Sequence, residues 1–454
     1  MKQTAFTIVT PIRAGEIERL GALLDEIGSD IKDNPHLRFG QFERLHYASL
    51  LTVIDAGAQP VLIFEGNLDG PPEVFLRQLV EEAGAAVDTI YGHCLDYPAP
   101  GSRAAGAVVH YLASHDIGAD TFYVAWPGRR VSEIFDEQHL RDRIGEMLDK
   151  ELSAPDGART TVALRAALQE GVRADPSLAW AGEIPPKPLF VRQGSNVLVA
   201  LALPPLAAGL ALLRSAFARS SGRTSRWMAR LILAGVVGAV AWIARRLLAE
   251  EEIDADGDRQ RHPDWQTAYA RWSDQLGDLV QRENVGVQNH MASVTRIKDG
   301  WFRLRLLQVV LWVINLFARL RYNKGKLGSI PSIHFGRWVI SPDRRHLIFL
   351  TNFDGSWESY LSDFIDLSAS GLTAIWANTD NAVGCPQARW LVTRGARDEP
   401  RFKAYARSSQ VRTQAWYSAY PDLTVSNIAN NMALREGLFA DLDEPAAEAW
   451  LRRL

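Results

Sequence analysis

Two histidines hold matching places in this sequence, His46 in "LHYASLLTVI" and His334 in "IHFGRWVI". Each lies in a run of β-branched and aromatic residues that reads as a strand. If the two runs pair about a pseudo-two-fold axis, both imidazoles face one central cavity and offer a haem iron or another metal two nitrogens. The plainer reading is a pair of hydrogen-bonded structural histidines. Arg337 follows His334 by an odd step, so in a regular strand it points to the opposite face, which weakens a joint site. Asp69 and Asp354, in "NLDG" and "NFDG", each stand between a strand and a helix. An aspartate there caps the following helix by accepting from its free N–H groups, and Glu73 or Glu358 adds charge to the first turn.

Other patterns carry less. Trp416, Tyr417 and Tyr420 in "WYSAYP", with Trp357 and Tyr360, are candidates for a pocket lining, although aromatics more often fill cores. "EEEIDADGD" at Glu250 has a calcium-loop composition without the EF-hand spacing and reads as a solvated linker. Walker, dinucleotide-fingerprint, HExxH and GxSxG patterns are absent from the sequence. A net charge of −3 without a strongly basic domain argues against a nucleic-acid partner. The two cysteines, Cys94 and Cys385, cannot build a disulfide framework and suit a reducing compartment. The opening "MKQTAFTIVTPIRAGEIERL" reads as a strand entering a helix, and not as a cleaved signal peptide.

What must position these residues is written twice. "LIFEGNLDGPPEVFL" at Leu62 returns as "LIFLTNFDGSWESYL" at Leu347, placing Asn67 over Asn352 and Gly70 over Gly355 at an offset of 285. The offset extends back to Thr10 over Thr295 and forward to Ile90 over Ile375. "FYVAWP" at Phe122 then meets "WYSAYP" at Trp416. So many matches in one order indicate an internal duplication. Each copy begins with a strand, "AFTIVTPI" or "MASVTRI", followed in the first by a helix with Leu20, Leu23, Leu24 and Ile27 on one side. "HYASLLTVI" and "PVLIF" read as two strands joined by a hairpin turn at "DAGAQ", and "PEVFLRQLVEEAGAAV" as a second helix. "DTIYGH" reads as a fourth strand. The expected fold is α+β: two fused ferredoxin-like βαββαβ repeats that pair through their sheets, face to face or as a barrel.

In element order and duplication the chain resembles the dimeric α+β barrel superfamily, which includes chlorite dismutases and dye-decolorising peroxidases. "IHFGRWVI" with "LIFLTNFDGSWESYL" also looks like a bacterial membrane-associated family within it, a resemblance that brings no activity with it. Dye-decolorising peroxidases carry a catalytic aspartate in GxxDG. Gly66 to Gly70 matches with Asp69 in the acid position, whereas Thr351 stands where the second copy needs its first glycine. The peroxidase likeness implies haem, with His334 or His46 as ligand; helix capping by Asp69 is the commoner use of such a junction.

Between the copies the composition changes. The division expected is 1–150 and 286–454 for the repeats and 151–285 for a linker with a membrane hairpin at about 196–249. Val197–Leu213 is 17 residues and Leu231–Ala244 is 14, both uncharged and apolar all round. A spanning helix needs about 20, so membrane insertion is favoured over a soluble core but spanning and re-entrant forms stay open. Pro204-Pro205 should break the first run. A hairpin returns both repeats to one side of an inner, cytoplasmic membrane. Positive-inside logic for Arg214, Arg219, Arg223, Arg226 and Arg230 opposes the cytoplasmic placement of the repeats, and Arg245 and Arg246 blunt that asymmetry. Leu306–Ala318, flanked by Arg303, Arg305, Arg319, Arg321, Lys324 and Lys326, is either an interfacial helix or one buried between the repeats.

The expected function is a membrane-anchored binding or scaffolding protein whose partners are the lipid bilayer and an apolar small molecule or a protein. The alternative is a haem-dependent peroxidase-type oxidoreductase.

Overall fold

The chain opens with β1 (Gln3–Pro11), α1 (Ile17–Ser29), β2 (Leu45–Val53), β3 (Val61–Asp69) and α2 (Pro72–Tyr91). There follow α3 (Ala105–Ser114), β4 (Thr121–Val124), α4 (Val131–Leu152) and α5 (Thr161–Ala174). Two long helices come next, α6 (Leu189–Phe217) and α7 (Arg223–Arg261), then α8 (Trp265–Ser273) and α9 (Gly277–Arg282). The second half begins with β5 (Gln288–Ile297), α10 (Trp301–Leu320), β6 (Ile333–Ile340), β7 (His346–Asp354) and α11 (Trp357–Trp376). Short strands β8 (Thr379–Asp380), β9 (Ala388–Arg389) and β10 (Thr393–Arg394) lead to α12 (Glu399–Ser408) and β11 (Gln410–Val411). β12 (Ala415–Ser418), α13 (Val425–Leu438) and α14 (Glu444–Leu451) end it. This computed structural model describes residues 2–454 except 55–58, 154–159, 184–188, 218–221, 274–276 and 284, so the expected turn at "DAGAQ" lies largely outside the described residues.

The fold is α+β: its strands pair antiparallel throughout the described residues. One large sheet has the order β1-β3-β2-β12, the other β11-β5-β7-β6-β4 with β8 also on β5, and β9 and β10 form a separate two-stranded ribbon. The outermost strands are exchanged. β4, from the first half, lies on β6, and β12, from the second half, lies on β2. Strands alternate faces, so one face of each sheet packs on its helices and the other on the opposing sheet. Phe6, Phe64 and Leu24 belong to the first helix-covered core, and Trp338, Phe349, Phe364 and Leu307 to the second. Val9, Leu51, Ile63, Val339, Ile348 and Leu350 meet in the seam between the sheets.

Four sequence expectations need correction. "DTIYGH" does not form a strand: Val87, Ile90 and Tyr91 continue the helical spacing of Leu76, Leu79 and Val80, and α2 runs on to Tyr91. α11 does the same over the matching stretch. Both helices kink, at Ala83 and at Ser368, positions 285 apart. The fourth strand of each half is instead the exchanged β4 or β12. Second, α6 runs through Pro204-Pro205 and does not break there. Each proline holds a helical φ but costs the helix an N–H bond and crowds the carbonyl four residues back, so the helix continues here at a local energetic cost. Third, "EEEIDADGD" is the docked end of α7 and not a solvated linker. There Asp254 takes Lys298 at 2.9 Å and also Arg303, Glu250 pairs with Arg303 at 3.4 Å, and Arg401 donates to Asp258 at 2.8 Å. Fourth, the segment at Leu306 is not buried between two bodies, because α10 covers one sheet with Phe302, Leu307 and Leu311 while Val309 and Trp312 are exposed.

α7 and α10 are long and apolar enough to cross a membrane. They differ in burial: none of the most apolar 18-residue stretch of α7 is buried, against a third of that of α10.

Candidate functional site

The two histidines sit at irregularities in their strands. β2 slips register against β3 between Leu45 and Tyr47, and β6 slips against β7 between Ile333 and Phe335. A bulge inserts one residue and reverses the alternation beyond it. His334 and Arg337 therefore both face the seam, contrary to the regular-strand expectation, and so do His46 and Tyr47. His46 Nε2 lies 3.1 Å from Asp69 Oδ1, and His334 Nε2 lies 2.6 Å from Asp354 Oδ1.

The carboxylates do cap helices, but not the ones that follow them in sequence. Asp69 Oδ2 accepts from the Val131 N–H at 2.8 Å, and Asp354 Oδ2 from the Val425 N–H at 2.7 Å. Val131 and Val425 begin α4 and α13, the helices after the two exchanged strands. Each aspartate thus places negative charge at the N-terminus of the helix arriving from β4 or β12. The exchanged strands dock by matching bonds, Ala125 N–H to His334 O and Ala419 N–H to His46 O, both 2.9 Å. The doubled "NLDG/NFDG" phrase is in this way a strap that ties the halves together.

His46 has no free nitrogen, since its Nδ1 is 2.8 Å from the Tyr420 hydroxyl. Phe335 packs on His46 and Tyr47 on His334, with ring centroids 5.2 and 5.5 Å apart. Burial pushes the Tyr47 and Tyr420 hydroxyls well above the ordinary tyrosine range, so both act as neutral donors and acceptors. Tyr47 donates to Gln288 at 3.1 Å. A metal or haem iron bound by His46, or by Nε2 of His334, would have to displace Asp69, Tyr420 or Asp354 from buried bonds. Among the described residues no group of three or more His, Cys, Asp or Glu is arranged to hold a metal. In this arrangement His46, through both nitrogens, and His334, through Nε2, serve as structural hydrogen-bonding groups.

Midway along the seam Arg337 crosses from β6 to the other sheet. It donates to Gly66 O at 3.1 Å and to Thr7 Oγ1 at 3.2 Å, and it pairs with Glu65 Oε2 at 2.7 Å. Glu65 also accepts from Ser49 at 2.8 Å and lies 3.3 Å from His290 Nε2. Burial opposes the Glu65 charge, but Arg337, His290 and Ser49 together hold the carboxyl below its usual range. Burial also draws the Arg337 guanidinium down. The second sheet carries Leu350 at the register position of Glu65, so this pair is not doubled.

At the far end the sheets leave an open apolar cleft of about 400 Å³. Val9, Val53 and Ile63 line it from one sheet, Val294 and Ile348 from the other, and Gln59, His115 and His346 stand among its polar groups. The volume is of the size that holds a small ligand, and apolar walls with a few polar groups are the usual chemistry of such sites.

The aromatic candidates are dispersed. Trp416 faces the seam and donates to Asn352 at 2.9 Å, whereas Tyr417 stacks on Phe39 in the first helix-covered core. Trp357 and Tyr360 lie in the second helix-covered core. Sequence reasoning missed the Glu65–Arg337 pair and the cleft. A lone Glu65 in "VLIFEGN" and a lone Arg337 in "HFGRWVI" were its available signals, since an isolated charge in an apolar strand needs a buried partner. Comparison of the chain with family models, with curated proteins and with solved structures returns no match.

Proposed function

We propose that this chain is a membrane-anchored binding protein that holds an apolar, lipid-like ligand in the open end of the seam between two fused ferredoxin-like repeats. The observation that carries the reading is the contrast within α7. Its apolar stretch carries Val236, Val237 and Val240 more than half exposed and touches α10 through Trp242 on Trp301, while Asp254 and Asp258 fasten its other end by ion pairs. Such a surface on a docked helix is what lipid would cover. A duplicated origin related to dimeric α+β barrels is supported by the twin bulges at His46 and His334 and the twin kinks at Ala83 and Ser368.

The α6–α7 pair acts as the anchor, and both sheets lie on one side of the bilayer. The exchange of β4 and β12 supports this, because each sheet contains strands from before and after the anchor. We place the sheets on the cytoplasmic face of an inner membrane, in keeping with two buried free thiols.

Membrane fractionation of cells making the full chain tests the anchor. The protein should stay in the pellet through a carbonate wash and leave it only with detergent; recovery in the carbonate supernatant would refute the reading.

A further inference from the structure

A second apolar groove, of about 340 Å³, lies on the other side of the second sheet, between α10 and α11. Ile314 and Phe317 wall it from α10, Phe364 and Leu367 from α11, and Trp338 of β6 also lines it. Its rim is not closed: Phe317 and Leu367 are each more than two-fifths exposed. Gly328, at φ +70, lets the turn after α10 come against Ser368, the kink residue of α11, which also lines the groove.

Charge gathers at one mouth. Phe317, Tyr322, Leu327 and Gly328 line the groove, and between them the chain carries Arg319, Arg321, Lys324 and Lys326, all exposed. No ion pair engages these four cations among the described residues. Asp363 and Asp366 on α11 flank the lining residues Phe364 and Leu367 as the cations flank Tyr322 and Leu327, so four cations stand against two acids beside the groove. An apolar slot beside unpaired cations is complementary to an anionic amphiphile, and not to a neutral hydrocarbon or a free phosphate. On the same helix Val309, Trp312 and Val313 are exposed.

We infer that the groove between α10 and α11 takes an acyl chain of an anionic phospholipid from the bilayer, with its phosphate held by the cations of residues 319–326. The inference rests on the membrane-anchored reading above but concerns a separate site from the seam cleft. Gly371 provides the plug with which to test it. It lines the groove within a helix, and a Cβ there meets nothing within 4 Å.

Full-length protein in nanodiscs of phosphatidylcholine is given a minor share of phosphatidylglycerol with a diazirine on its acyl chain, irradiated and digested. Adducts are expected on the peptides spanning 314–328 and 364–375. In Gly371→Phe they should fall by about tenfold or more, with adducts on α6 and α7 unchanged. Lys324→Glu with Lys326→Glu, both at exposed positions, should lower labelling of the groove by phosphatidylglycerol but not by a diazirine phosphatidylcholine. Wild-type adducts confined to α6 and α7, or groove adducts undiminished in Gly371→Phe, would overturn the inference and leave the anchor standing. Protein that never enters the nanodiscs and carries no adduct would overturn both.

Discussion

At one end of the seam His46, His334, Asp69, Asp354 and Tyr420 are packed into mutual hydrogen bonds; at the other, the same strands continue into Val9, Val53, Ile63, Val294 and Ile348 and leave about 400 Å³ open. The residues that look most like chemistry are at the filled end. Their nitrogens and oxygens are used to join helices and exchanged strands, so the doubled phrase marks architecture. The end that can admit a ligand is lined by ordinary aliphatic residues that no motif distinguishes.

Substitutions should separate the two ends. The largest effect is expected in the middle of the seam. Arg337→Ala strands the buried Glu65 carboxylate and should cost about 3–5 kcal/mol, read as a drop in the detergent-solubilised melting transition. Replacing both, Glu65→Leu with Arg337→Leu, should recover most of that loss, since Leu350 already fills the matching place in the other sheet. A double variant no better than Arg337→Ala would show that the pair has a role beyond mutual neutralisation.

Next come the straps. Asp69→Ala and Asp354→Ala each remove a helix cap and a histidine's partner, and each should cost about 1–3 kcal/mol. Similar losses for the two, with apolar-ligand binding intact, would sharpen the contrast between the ends; loss of binding in either would break it. In the cleft, Val294→Trp should weaken an apolar fluorophore by about tenfold or more, a change of about 1.4 kcal/mol, with the melting transition nearly unmoved.

The smallest effect is in pH dependence. Because Glu65 is held below its ordinary value in the folded chain, the unfolded carboxyl binds its proton first as acid is added. Its stabilisation is therefore present above about pH 4.3 and lost as the pH falls through the folded value. Acid titration of stability should be shallower below that point in the Glu65→Leu, Arg337→Leu variant than in the wild type.

The α+β class and the strands at His46 and His334 were legible from alternation and apolar runs. So was the helical face of Leu20, Leu24 and Ile27, all three buried. The exchange of β4 and β12 was not, because local pattern gives a strand's existence but not its partner. The bulges hid the shared direction of His334 and Arg337: a one-residue slip leaves no mark in an eight-residue strand. "EEEIDADGD" misled for a related reason. Its composition suits solvent, and only the positions of Lys298, Arg303 and Arg401 in the fold reveal what its acids are for.

One parallel titration distinguishes the two ends of the seam. An apolar fluorophore is added to the full-length wild type, to Val294→Trp and to His334→Ala, each in the same detergent. The wild type and His334→Ala should bind it, and Val294→Trp should not. Binding that survives Val294→Trp and disappears in His334→Ala would place the ligand at the histidine end and contradict it.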